Sequence, residues 1–174
     1  MQLNKLCEVQ RKCSKDADIG IIVGANDEWG VMARYDYCFE FDDFMLFRLC
    51  DILYCEDCGV SAYLSHVASR LNLSAPGCSF ILADNITEIA LRNEWIGRKE
   101  LIGLYKYRDK ETSIYMGHIL SVAPKSFVFS EIDNEAEPDG VFRHYYKSIS
   151  AISFGGGYAK MLQMMVGGGG SDEK

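Results

Sequence analysis

The chain has 174 residues, a net charge of −7, and a hydrophobic fraction of 48% beside a charged fraction of 25%. These values are typical of one globular domain or two small ones, and the acidity argues against non-specific binding to DNA or RNA. No apolar run approaches the roughly 20 residues of a membrane span, and no signal-peptide segment is recognisable. We therefore expect a cytoplasmic protein that binds neither membrane nor DNA.

The cysteines predict free thiols rather than disulfides. There are seven of them, an odd number without a secretion signal, and all lie in the first 78 residues. Cys55 and Cys58 form the only CxxC pair, and they are weak metal candidates because a structural zinc site usually needs a second such pair. We expect no cofactor, and a metal- or thiol-dependent protein centred on this pair is kept as an alternative.

Apolar alternation predicts short strands through the first part of the chain. The opening segment is read as a strand, with an amphipathic helix as the alternative. Acidic residues 36–43 are read as a solvated loop, in preference to a site for a divalent cation. The predicted strands are 4–10, 18–25, 29–35, 44–49 and 52–55.

The middle of the chain changes to helical spacing. Apolar residues recur at intervals of three and four between Val60 and Leu71. Residues 72–79 are polar and contain Pro and Gly, so they are the predicted linker. A second helix is expected over about 86–95, capped by Asp84 or Asn85.

Strands return in the last third of the chain, separated by a Pro-Lys turn and a second acidic loop. A Gly-Gly-Gly run ends the last of them. Residues 158–166 are either a short helix or a continued strand, and the Gly-rich residues 167–174 are expected to be a disordered tail. The strands are predicted near 101–107, 113–122, 126–132, 141–147 and 149–154.

The two groups of strands look like copies of one unit. Gly20 and Gly117 lie 97 positions apart, and so do Asp36 and Asp133, each at the end of a second apolar run. Apolar patterns and turn positions agree at the same offset, which indicates an internal duplication. The predicted division is 1–59 for the first copy, 60–98 for a helical connector and 99–166 for the second copy.

Each copy resembles the Sm-like barrel of the Sm, LSm and Hfq proteins. The resemblance rests on five short strands, a Gly in the second strand, a longer loop between strands three and four, and a tight junction before strand five. It implies a mainly β (α+β) chain with two tandem five-stranded barrels joined by a helical region. In such barrels Gly20 and Gly117 would let the second strand bend sharply.

The turns that bind uridine-rich RNA in those proteins are not reproduced here. The first is expected to carry Asp and Asn, but residues 123–126 read Ala-Pro-Lys-Ser, and Asn26 and Asp27 stand in another order. Neither Asp51-Ile52 nor Ser148-Ile149 supplies the basic second turn. RNA binding is therefore an alternative rather than the favoured function, since a fold does not specify a function.

No catalytic set of residues is recognisable, so we predict a non-enzymatic interaction module that binds protein, either itself or a basic partner. His66, His118 and His144 stand singly and are read as structural or surface residues. Tyr145 and Tyr146 should point to opposite faces of a strand, and they are the predicted interface residues because exposed aromatic side chains favour protein interfaces.

Overall fold

The computed structural model describes residues 3–12, 14–57, 62–77, 79–96, 100–108 and 111–168. Within these ranges the protein is mainly β, with ten strands in one sheet and three α-helices, which confirms the predicted fold class at this level. All neighbouring strands of the sheet run antiparallel. None of the described helices combines the length and the apolar character needed to cross a membrane.

The first half of the sheet contains five consecutive strands. They lie in the order β5-β1-β2-β3-β4, so the fifth strand returns to the side of the first. A single 3₁₀ turn separates the fourth strand from the fifth. The strands of this first half are β1 (Leu6–Arg11), β2 (Asp18–Ala25), β3 (Trp29–Tyr35), β4 (Phe41–Arg48) and β5 (Ile52–Asp57).

Two helices follow, α1 (Ala62–Leu71) and α2 (Ile86–Arg92). The second half of the sheet then has the order β10-β6-β7-β8-β9, and β4 pairs with β10 to join the halves. Its elements are β6 (Ile102–Arg108), β7 (Glu111–Ala123), β8 (Ser126–Ile132), β9 (Pro138–Tyr145), β10 (Ala151–Phe154) and the helix α3 (Gly157–Gly168).

The opening segment is a strand, as predicted, and the helical alternative is wrong. Strand β1 pairs with β2 on one side and β5 on the other, and its burial alternates along its length. At the other end of the chain the alternative of a continued strand is wrong, because 157–168 form a helix. Gly155 has a φ of 74° that ends β10, and Ala159 and Leu162 then bury one side of α3.

The acidic loops are shorter than predicted, and two strands begin earlier. Strand β4 starts at Phe41 rather than at residue 44, and β9 starts at Pro138 rather than at residue 141. The cause is a tight turn before each strand. In the first, the Asp36 carboxylate accepts hydrogen bonds from the backbone N–H groups of Cys38 and Glu40, at 2.8 and 2.9 Å.

The second turn repeats this arrangement. The Asp133 carboxylate accepts from the backbone N–H groups of Glu135 and Glu137, both at 2.9 Å. Each turn also has a non-glycine residue in the left-handed region, Phe39 at 62° and Ala136 at 66°. An aspartate that bonds the backbone in this way stabilises a turn, so these two acidic residues have a structural use.

The hydrophobic cores link the halves. One cluster contains residues of β6, β7, β8 and β10 together with Trp29 and Leu46 of the first half, and α2 adds Ile86, Ile89 and Ala90. Asn85 caps α2 by accepting a hydrogen bond from the Glu88 N–H. A second cluster gathers buried residues of β1 to β4 with Ala151 of β10, and Ile52 and Cys55 of β5 pack against it. The predicted linker also packs on the first half, where the Tyr35 hydroxyl donates to the Ser74 carbonyl at 2.8 Å.

Candidate interaction edges and the seam between the halves

The two halves meet along a seam formed by the antiparallel pairing of β4 with β10. The opposed residues include Leu46 with Ile152 and Phe44 with Phe154. Leu46 and Ile152 are fully buried, and the rings of Phe44 and Phe154 stack with centroids 5.6 Å apart. The seam is thus an apolar junction in which backbone pairing and side-chain packing act together.

Arg48 forms hydrogen bonds between the two halves at one end of the seam. Its Nε donates to the Ile149 carbonyl at 2.8 Å, and its Nη2 donates to the Tyr146 carbonyl at 2.9 Å. The guanidinium carbon lies 4.6 Å from the centre of the Trp29 ring, within the range of a cation–π interaction. One side chain of the first half therefore satisfies two backbone carbonyls of the second half.

A buried ion-pair network lies on the first half near the seam. Arg34 binds Asp43 through two hydrogen bonds of 2.6 Å and reaches Asp18 at 3.0 Å. Arg11 binds the other oxygen of Asp18 at 2.8 Å. Burial alone would lower the pKa of Arg34, but its hydrogen bonds to Asp43 and the negative charges around it outweigh burial and raise that pKa, so the guanidinium stays charged.

This network corrects the prediction that residues 36–43 form a solvated loop. Asp43 lies in β4 with 6% of its surface exposed, where its partner Arg34 offsets the cost of burying a carboxylate. The described residues contain no group of three or more His, Cys, Asp or Glu side chains arranged to hold a metal ion. Cys55 lies on β5 as a free thiol, while Cys58 lies outside the described residues.

The sheet ends at β5 on one side and at β9 on the other. In the described part of the chain each of these strands pairs with one neighbour only, β5 with β1 and β9 with β8. Large apolar side chains are exposed on both: Leu53 (60%) and Tyr54 (40%) on β5, and Val141 (61%), Phe142 (48%) and Tyr145 (52%) on β9. An edge strand with exposed apolar side chains is a template for pairing with another chain.

The predicted interface pair is divided between surface and core. Tyr145 is exposed at the end of β9. Tyr146 is buried, with its ring 5.4 Å from that of Phe127. The 3₁₀ turn that begins at Tyr146 directs this side chain into the core of the second half. The surface candidate is therefore Tyr145 together with its neighbours on β9.

The repeat glycines lie where two strands approach closely. A Cβ on Gly20 would lie 2.5 Å from the Ala33 carbonyl oxygen, and one on Gly117 would lie 1.9 Å from the Ser130 carbonyl oxygen. Neither glycine has a positive φ. Space beside the third strand of each half, and not an unusual backbone conformation, is what requires glycine at these positions.

His144 forms a buried polar pair that sequence reasoning did not find. Its Nε2 lies 2.7 Å from a carboxylate oxygen of Glu131, and its Nδ1 has no hydrogen-bond partner among the described residues. Burial, followed by the charge of Lys106, lowers the pKa of His144 to about 4. Burial raises the pKa of Glu131. At neutral pH the imidazole is therefore uncharged and is able to donate from Nε2 to Glu131.

Two further surfaces are open to solvent. Helix α3 exposes Met161, Met164, Met165 and Val166, and flexible methionines suit adaptable binding surfaces. A cleft of about 620 Å³ lies between the two halves of the sheet. Its lining includes Lys12, Lys15, Tyr105 and Tyr107.

Asn26 lies in the turn that corresponds to the first RNA-binding turn of Sm-like proteins, but its side chain forms hydrogen bonds within the fold. Its carbonyl oxygen accepts from the N–H groups of Glu28 and Trp29 at 2.9 and 2.7 Å, and its amide donates to the Ala83 carbonyl at 2.7 Å. This side chain closes the β2–β3 turn and holds the segment before α2.

No protein-family model, curated protein or solved structure matches the chain.

Proposed function

We propose that this chain is a duplicated pair of Sm-like barrels that acts as a non-enzymatic protein-interaction module through its outer strands. The duplication is supported by element bounds that recur at the offset of 97 residues read from the sequence. Strands β3 and β8 start and end at this offset, and so do β4 and β9. The two 3₁₀ turns, Leu49–Asp51 and Tyr146–Ser148, also keep it.

Irregular features support the duplication more strongly, because regular strands are common. The pairing of β2 with β3 shifts between Ile22 and Gly24, and that of β7 with β8 shifts between Ile119 and Ser121. The aspartate turns and the glycines beside the third strands recur at the same offset. Matching bulges and turns at matching positions support the proposed duplication, because bulges are retained as designed features of a fold.

The barrel proposal rests on strand order and shared cores. In both halves the fifth strand lies beside the first, and the fourth strand lies at the opposite end of the five. In the first half, buried residues of β1 to β4 pack in one cluster together with Ala151 of β10, and the partly buried Ile52 and Cys55 of β5 pack against it. Side chains that fill a small barrel pack in a comparable way. The Sm-like resemblance concerns this five-stranded unit and does not extend to the RNA-binding turns.

The observation that carries the interaction proposal is the seam. Within this chain one five-stranded unit already joins another by edge-to-edge pairing, and the same two kinds of edge end the sheet with apolar side chains exposed. The exposed methionines of α3 add a second apolar surface. The net charge of −7 favours a basic partner where the partner is another protein.

Affinity purification with edge variants tests this function. A tagged wild-type chain and a tagged Leu53→Lys/Tyr145→Lys variant are expressed in the source cells together with an untagged copy. We expect the wild type to recover a protein partner that the double variant loses, because Lys on an edge strand opposes pairing. A tagged Leu120→Lys chain is the control, since Leu120 is exposed on the inner strand β7. The same recovery with all three chains contradicts the proposal.

RNA binding is the second candidate, and the cleft between the halves is the observation that favours it. Lysines beside tyrosines can hold a phosphate chain and stack bases. Fluorescence anisotropy with short oligo-U and oligo-A RNA at low salt measures this directly. Binding that weakens when Lys15 is changed to Glu supports the candidate, and no binding by folded protein refutes it.

A further inference from the structure

Helix α3 exposes a continuous stripe of apolar side chains. The helix packs on the second half through Ala159 and Leu162, which are buried together with Leu101 and Ala136. Because side chains three and four positions apart share one face of a helix, four other residues form the adjoining face, the methionine stripe. Its members are about half exposed or more: Tyr158 (49%), Met161 (46%), Met164 (72%) and Met165 (49%).

An acidic turn lies directly beside the stripe. The turn that joins β8 to β9 reaches the start of α3, where the Tyr158 hydroxyl donates to Oδ1 of Asn134 at 3.4 Å. Residues 133–142 contain four acidic side chains and no basic one. Glu135 and Glu137 use their backbone N–H groups within the turn, and both residues are exposed. Their carboxylates therefore lie in solvent close to the apolar stripe.

A small cleft extends this surface toward β7 and adds another carboxylate. It has a volume of about 190 Å³, and its lining includes Tyr158, Ile114 and Asp42. Ile114 is 56% exposed, so apolar surface continues from α3 onto β7. The half-exposed Asp42 lies 3.3 Å from Arg34, but that guanidinium is shared by three aspartates. Lys160 is the single basic residue of α3, so the surroundings of the stripe are mainly acidic.

Within the proposed function, on which this inference rests, we infer that α3 and the acidic turn bind a basic amphipathic helix of another protein. The apolar side of that helix packs on the methionine stripe, and its Lys and Arg side chains lie near Glu135, Glu137 and Asp42. Tyr158 and Met165 are seven positions apart, about 10 Å along the helix axis. This length matches apolar residues at i, i+4 and i+7 of a docked helix, and methionine side chains adapt well to such a surface.

The chemistry of the surface favours this occupant over three others. A second copy of the chain has the same net charge of −7, and an anionic membrane would be repelled by the acidic turn, because like charges placed together oppose association. Residues 169–174, Gly-Gly-Ser-Asp-Glu-Lys, have no apolar side chain with which to cover the stripe. A partner that is both apolar and basic satisfies both parts of the surface.

Titration of a fluorescent peptide into the full chain tests the inference. The probe is a helical peptide of about 16 residues, with leucines on one face and lysines on the other. One control peptide has glutamate in place of lysine, and another has the leucines and lysines in strict alternation, which gives no apolar helical face. Fluorescence anisotropy should show binding of the probe that weakens with salt, and about tenfold weaker binding or less for both controls.

Methionine methyl NMR locates the contact on the chain. Three of the seven methionines lie on the stripe, whereas Met32 and Met45 are fully buried in the first half. The probe should shift the methyl signals of Met161, Met164 and Met165 and leave those of Met32 and Met45 unchanged. A probe that binds without shifting the three stripe signals overturns the inference.

A variant of the stripe tests its apolar side chains. Met161→Lys/Met165→Lys should weaken binding of the probe by about tenfold or more. Leu91→Lys is the matched control, because Leu91 is an apolar side chain of α2 that is 54% exposed, and it should bind like the wild type. Circular dichroism checks that both variants fold.

A second variant tests the charges of the acidic turn. Glu135→Gln/Glu137→Gln should weaken binding of the probe by about threefold or more at low salt and by less at high salt. Asp16→Asn/Asp27→Asn is the control, since it removes two exposed carboxylates elsewhere and should leave binding unchanged. Equal binding by the glutamate variant and this control overturns the charge complementarity on which the inference depends.

Other outcomes also overturn the inference: no binding of the probe, equal binding of either control peptide, or binding that the methionine variant retains in full. Stripe signals that shift when the protein alone is concentrated, or on addition of anionic phospholipid vesicles but not of the probe, assign the surface to a second copy or a membrane instead. If the probe fails while the edge variant still loses its partner in the purification above, the proposed function stands and only this surface is withdrawn.

Discussion

Replacing Gly117 with alanine tests whether the repeat glycines are required by space. The added Cβ would lie 1.9 Å from the Ser130 carbonyl oxygen and 2.9 Å from the Phe129 ring. A carbon–oxygen contact normally measures about 3.3 Å or more. Strand β7 must therefore move away from β8 by more than about 1 Å, which disturbs a pairing that runs along the whole of β8.

The loss of free energy of unfolding should be larger where the new methyl group makes closer contacts. Overpacking in a core costs about 1–3 kcal/mol, and we expect Gly117→Ala to reach about 3 kcal/mol because its neighbour is backbone. Gly20→Ala meets the Ala33 carbonyl at 2.5 Å and the movable Met32 side chain, so about 2 kcal/mol is expected. Gly24 has nothing within 4 Å of its added Cβ, so its alanine variant should stabilise by about 0.5 kcal/mol through the unfolded chain.

Urea unfolding followed by circular dichroism measures these differences, with the protein concentration fixed because self-association changes apparent stability. The three variants share one chemical change and differ only in surroundings, so Gly24→Ala controls for the loss of glycine flexibility. A Gly117→Ala cost that lies within about 0.5 kcal/mol of the Gly24→Ala value would refute the argument from space.

Two further predictions concern charges. Asp43→Asn should lower the free energy of unfolding by about 3 kcal/mol, because it leaves a buried guanidinium with one charged partner fewer. Glu88→Gln should lower it by less than about 0.5 kcal/mol, because its pair with Arg92 is exposed. Equal losses for the two variants in urea unfolding would contradict this prediction. The His144 ring should titrate near pH 4 in NMR spectra, and since its pKa is lowered from 6.5, its contribution to stability should be lost as pH falls from about 6.5 to about 4. A midpoint near 6.5 would show that the imidazole is not buried as described.

The regular strands were predictable because their pattern is local. Strand β3 was predicted with its bounds, since a turn precedes Trp29 and an aspartate follows Tyr35. Strand β4 was predicted three residues late, because its charged start resembles a loop when Asp43 is considered without its partner. That partner, Arg34, lies on the adjacent strand, and a contact across strands is not visible in a residue pattern.

The candidate surfaces were predictable only in part. Tyr145 was proposed from its aromatic character, and it is exposed on β9, but the sequence did not indicate which strands end the sheet. That property depends on the order of all ten strands, which is set by pairing between distant segments. The pair of His144 with Glu131 was missed for the same reason, since these residues meet only when β8 and β9 lie side by side.

Covalent fusion of the two units restricts how many of them an assembly can contain. Each chain contributes two five-stranded units joined through β4 and β10, so any closed assembly of these chains has an even number of units. Its joints would alternate between the apolar seam inside each chain and a different contact between chains, because β4 and β10 are already paired with each other. A ligand that recognises one kind of joint would then occupy every second boundary and bind with a stoichiometry of one per chain.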